Sequence, residues 1–251
     1  MKSHSDNSAI IEHHRRQLSC WLWEWQLDCN LRAAPDGEAK AEPAVHFIRR
    51  ASGLTAMKKV RRPATSQIRL LWPVGCDESP RPLYVAVLLK LCGDAFLIAP
   101  FSRFSEPATP GEWITGLKAL PARVLCLWNA RVVSSSSLAC SWIAGNMTKQ
   151  QTNMALEVYL HAQHGNPLVT VPETCIGPPV RHPLDPRYRY MAGESDLLQE
   201  SIRTLEEKVE SDSRDGILYG LSPSRRLLAA EERAGYGGSK RRKRTGKDSE
   251  E

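Results

Sequence analysis

Apolar residues recur at three- and four-residue spacing through residues 8–33, where Ile11, Leu18, Trp21, Leu22, Trp25 and Cys29 form one stripe. That period predicts an amphipathic helix. Pro35 and Gly37 end it, and residues 35–44, rich in Ala, Glu and Pro, read as a linker. Beyond residue 65 the pattern shortens. Ile68 to Trp72 reads as a strand closed by Pro73 and Gly75. Arg81 to Lys90 and Ala95 to Ser102 read as apolar strands joined by a tight turn at Gly93-Asp94. A Pro/Gly loop from Glu106 to Glu112 precedes two more strands, Arg123 to Trp128 and Arg131 to Val133. Short strands with frequent turns and one closing helix predict a mainly β fold, a small barrel with added helices. The closing helix begins at Thr148, with Gln151 three residues on as a capping box, and stops at Gly165. Its inner face is Ala155, Val158, Tyr159 and Ala162.

Residues 166–192 carry six prolines and predict extended chain laid on the surface. Leu198, Ile202, Leu205 and Val209 mark another amphipathic helix, and Ser222-Pro223 opens a short one with Leu227 and Leu228. The implied domains are an N-terminal helix and linker (1–44), a barrel with its terminal helix (45–165), a Pro-rich segment with amphipathic helices (166–234) and a disordered basic tail (235–251).

Charge adds a direction to this outline. The 251-residue chain carries a net charge of +6, which permits a polyanionic partner without requiring one. Residues 45–72 hold no acidic side chain but include Arg49, Arg50, Lys58, Lys59, Arg61, Arg62 and Arg69. Such a segment suits an RNA phosphate backbone and equally suits a solvated connector. The tail run Lys240 to Arg244 reads as a solubilising tail, a nucleic-acid contact or a nuclear address. The tryptophans at 21, 23 and 25 could stack bases, but at helical spacing packing anchors are the commoner use. Seven cysteines without a Cys-x-x-Cys pair, several inside apolar runs, point to reduced thiols in a cytoplasmic protein. The histidines at 13–14 and at 161 and 164 lack a third ligand and read as helix-surface residues, so no metal or cofactor is expected. No apolar window reaches the roughly 20 residues of a membrane span, and no secretory signal is expected at the start.

The hairpin carries the candidate chemistry. Arg81 opens its first strand and Ser102 closes its second, so antiparallel pairing brings a cation and a hydroxyl to one edge of the sheet, where they could hold a phosphate. Four stretches in order carry a family resemblance: Ser66 to Gly75, Pro80 to Leu88 with its Arg81-Pro82, Ala99-Pro100-Phe101-Ser102, and Val124 to Gly145 followed by Asn146-Met147-Thr148 and a helix. Over residues 66–164 the chain resembles the PemK/MazF-like toxins of toxin–antitoxin systems. The resemblance implies an SH3-like barrel, commonly a homodimer, that cleaves single-stranded RNA without metal and is bound by an acidic antitoxin. Arg81 then takes the position of the catalytic arginine and Ser102 that of the catalytic threonine or serine. A guanidinium would stabilise charge on the phosphoryl oxygens while the hydroxyl donates to the phosphate or moves a proton. The chain departs from the family at Ser66-Gln67, in place of Gly-Asp, and in the short loop Cys76 to Pro80, which lacks a Gln-Gly run. The second reading is therefore a barrel that no longer cuts RNA and serves as a nucleic-acid-binding or protein-interaction module.

Overall fold

A computed structural model describes residues 4–33, 62–71, 83–117, 120 and 122–218. The fold mixes helix and sheet. Its centre is a five-stranded antiparallel sheet of β1 (Gln67–Leu71), β2 (Leu83–Leu91), β3 (Ala95–Pro100), β6 (Arg131–Ser134) and β7 (Trp142–Asn146). The strand order is β6-β3-β2-β1-β7, with β4 (Glu112–Ile114) and β5 (Val124–Cys126) paired in a separate hairpin. The predicted barrel closure is not found: β6 and β7 occupy opposite edges and do not pair with each other. Among the described residues four α-helices accompany the strands, α1 (His4–Ala33), α2 (Ser135–Ala139), α3 (Lys149–His164) and α4 (Arg187–Leu218). No described helix is long and apolar enough to cross a membrane.

β2 is central and its sequence reads as an unbroken apolar run because both of its faces are covered. Tyr84, Ala86 and Leu88 point into one core with Leu125, Leu127 and the α3 residues Ala155 and Val158. Val85 and Val87 point into a second core with Phe96, Ile98, Leu138, Leu198 and Leu205. The β2–β3 turn forms where the dipeptide predicts it, with φ of +76° at Gly93 and +60° at Asp94. Glycine meets no steric cost there, and aspartate tolerates the left-handed region better than most residues.

α3 begins and ends as its sequence predicts. Thr148 and Gln151 form the reciprocal capping box, and Gly165 closes the helix at φ +70°. α2 is a helix the sequence pattern did not announce. The Ser134 hydroxyl accepts the Ser137 N–H and so turns a polar serine run into a capped turn. The Pro-rich segment also differs from a surface strap. Ile176 is buried and bridges Trp113. At Gly177 an added Cβ would lie 2.4–2.7 Å from the Pro107 and Thr109 backbone, so only glycine fits. α4 then starts at Arg187, earlier than the leucine spacing suggests.

The chain through Lys208 forms one compact unit, and α1 belongs to it. α1 covers residues its stripe did not name as targets. Trp21 is fully buried and joins Phe104, Ala108 and Tyr190 in a third cluster, with Leu18, Leu22 and Trp25 packed against it. Trp21 and Trp25 stack at 5.8 Å, which is packing rather than a base platform. Ile11 and Cys29, placed on the stripe by spacing, are exposed.

Candidate functional site

Ser102 sits where β3 leaves the sheet. Val85 pairs with Pro100, and Phe101 still donates its N–H to the Tyr84 carbonyl, so Ser102 lies at the end of the sheet where β2 begins. Its own N–H then turns away to the Val124 carbonyl of β5. Arg81 lies outside the described residues, two positions before β2.

The Ser102 hydroxyl has no access to solvent, with 0% relative exposure. It accepts the Phe104 N–H at 3.1 Å and lies 3.1 Å from the Tyr190 hydroxyl of α4. That phenol is in turn 3.6 Å from the Cys126 thiol. Tyr190 is held edge-on by Trp21 at 5.3 Å, Phe104 at 5.4 Å and Trp128 at 6.2 Å. Arg103, next to Ser102, pairs with Asp28 of α1 at 3.0 Å and with Glu194 of α4 at 3.3 Å. Ser105 donates its N–H and its hydroxyl to the two carboxylate oxygens of Glu24 on α1. The other half of α1 is tied to the Glu173–Cys175 turn: His13 and Gln17 donate to the Thr174 carbonyl, and His14 to that of Glu173.

A carboxyl group lies in the same neighbourhood. Glu112 of β4 is fully buried and accepts the Ala108 N–H and the Trp128 indole N–H, the latter at 2.8 Å. Burial raises its pKa to about 7, with the nearby Glu194 adding to the rise and its hydrogen bonds opposing it. Burial also raises the Cys126 thiol and the Tyr190 phenol well above their ordinary values, and Glu112 and Glu194 push both further up. The thiol and phenol therefore stay protonated at neutral pH. Ser102 bonds to a protonated phenol and an amide, and neither can take its proton.

Most predicted RNA contacts, Arg49, Arg50, Lys58, Lys59 and Arg61, lie outside the described residues. Arg62 is described and exposed. Arg69 corrects its expected role as a surface cation. It is fully buried and its guanidinium donates to the carbonyls of Leu138 and Ser141, the Ser141 hydroxyl and the Gln67 amide oxygen. Desolvation lowers its pKa to about 10, which still leaves it charged. Its work is structural: it ties the α2–β7 connection to β1. Among the described residues no cluster of His, Cys, Asp or Glu could hold a metal ion.

Tyr190, Glu112 and Arg103 are the residues that sequence reasoning missed. Glu112, a lone acid beside Trp113, carried the one available signal; nothing local to Tyr190 reveals its partner. A shallow recess of about 310 Å³ on α3, lined by Asn153, Leu156, Glu157, Leu160, Asn166 and Pro167, shares no residue with this cluster. No protein-family model, curated protein or solved structure matches the chain.

Proposed function

We propose that this chain is an RNA-directed domain of the PemK/MazF-like kind, with an SH3-like sheet, that cleaves single-stranded RNA without a metal ion. The observation that supports it most is the β2–β3 register, which sets the Ser102 hydroxyl at the end of the sheet where β2 starts, the end that the Arg81 segment enters. The strand order agrees with one continuous hairpin flanked by the earlier β1 on one side and the later β6 on the other, and followed by a capped helix. In this reading the Arg81 guanidinium binds the phosphoryl oxygens and Ser102 donates to them once uncovered. The burial of Ser102 favours the second reading, a module that binds without cutting.

Purified protein with labelled single-stranded RNA in EDTA separates the two. Cuts that vanish in Arg81→Ala and in Ser102→Ala support the enzyme. Salt-sensitive binding without cuts selects the binding module, and neither cutting nor binding overturns both.

A further inference from the structure

We propose that α1 is a lid over the Ser102 hydroxyl: it lifts from the fold as a unit while the sheet stays folded, and its departure lets Tyr190 swing away from Ser102. The lid rests on the reading that the Ser102 hydroxyl acts on RNA.

Three features carry it. The first is how the core is partitioned. The two clusters that pack the faces of the sheet contain no residue of α1. Among the described side chains of α1 the one buried apolar residue is Trp21, and it belongs to the third cluster, with Phe104, Ala108 and Tyr190. Losing α1 would leave both sheet cores intact. α3 differs, since its Ala155 and Val158 lie inside the first core.

The second feature is the quality of the dock. Two buried polar atoms on the inner face of α1, the Trp21 indole N–H and the Gln17 side-chain oxygen, have no hydrogen-bond partner among the described residues. Each such atom is costly relative to its hydrated state. The cost offsets part of what Trp21, Leu18, Leu22 and Trp25 contribute by burial. Its polar ties include those from Glu24 to Ser105, from Asp28 to Arg103, and from His13, His14 and Gln17 to two carbonyls. A segment held this way opens more easily than a core strand.

The third feature is the order of cover. The Tyr190 ring is confined by Trp21 on one side and by Phe104 and Trp128 on others. Removing Trp21 frees the side facing α1, where the phenol can rotate off Ser102 without breaking the sheet. Cys126, within reach of the same phenol, is uncovered by the same movement.

The test uses the full chain and the double variant Glu24→Ala/Asp28→Ala, which removes the ties to Ser105 and Arg103. Amide hydrogen exchange is followed across α1, residues 187–192 and β2–β3, and iodoacetamide labelling of Cys126 is quantified by mass spectrometry on folded protein. We expect about 10- to 100-fold faster exchange in α1, from the loss of two or three hydrogen bonds. Cys126 labelling should rise with it, while β2 and β3 stay protected as in the parent. Exchange rising equally in α1 and β2–β3 would show one cooperative unit and overturn the lid, as would α1 opening with Cys126 still unlabelled. RNA cutting is read in parallel. If α1 opens and Cys126 labels but RNA stays whole, the lid stands and the RNA-cutting reading falls.

Discussion

β3 has two ends, and they lie in opposite environments. At the Ala95 end the chain reverses through Gly93 and Asp94, Leu89 is 41% exposed and Val132 on the neighbouring strand is 59% exposed. At the Ser102 end polar groups of the strand exit bond to residues far away in sequence: Val124, Tyr190, Asp28, Glu194 and Glu24. The open end is built by a three-residue turn. The closed end is built by two helices from the two sides of the chain. Local sequence therefore sets the hairpin, while its accessibility is set by α1 and α4. Substitutions at the closed end should be costly and those at the open end cheap.

The largest effect is expected at Arg187, which anchors the first turn of α4 and so the position of Tyr190. It is buried, pairs with Asp185 at 2.6 Å and donates to the carbonyls of Ala108, Pro178 and Pro179. Arg187→Ala would strand a partly buried carboxylate and three carbonyls. A loss of about 3–5 kcal/mol is expected from denaturant unfolding. A loss under 1 kcal/mol would show that the α4 anchor is not part of what closes this end.

Glu112 comes next and sets a pH dependence. Its carboxyl has a folded pKa of about 7 against an ordinary value of 4.5. Between these values the folded state binds more protons than the unfolded one, so stability falls as pH rises across the window. The difference corresponds to roughly 3 kcal/mol. Glu194, Tyr190 and Cys126 face the same group, and of these the phenol and the thiol stay neutral through the window. Glu112→Gln should flatten the fall between pH 4.5 and 7 expected of the parent. An unchanged slope would mean that another group carries it.

The same contrast explains what was legible in the sequence. The β2–β3 hairpin and α3 could be read because each is specified within a few residues: an apolar run with Gly-Asp, and a capping box with a terminal glycine. β4 was hidden in a Pro/Gly loop, since Glu112 becomes a buried strand residue only when Trp128 and the Ala108 N–H satisfy it. α2 was hidden by its serines, which look like a linker until Ser134 caps the turn. Arg69 misled because a basic stretch suggests solvent, whereas in β1 it faces the carbonyls of Leu138 and Ser141. For the site, the sequence located Ser102 at a strand end but could not show Tyr190 over it, 88 residues away. Amphipathic spacing identified α1 as a packing helix without saying what it packs on.

At the open end the expected effect is smallest and purely conformational. Gly93 lies at φ +76°, and an added Cβ would meet nothing within 4 Å. Gly93→Ala thus introduces no clash, and its cost is that of holding an L-residue in the left-handed region, about 1 kcal/mol. Against this stands the lower entropy of the unfolded alanine chain, which offsets a few tenths of that. The turn is further held from outside, because the Ser135 N–H donates to the Asp94 carbonyl at 2.9 Å. The net loss in denaturant unfolding should stay below about 1 kcal/mol, with amide exchange in α1 and Cys126 labelling unchanged. A faster-opening α1 in this variant would mean that the two ends of β3 communicate through the strand, and the separation between a locally built end and a helix-covered end would fail.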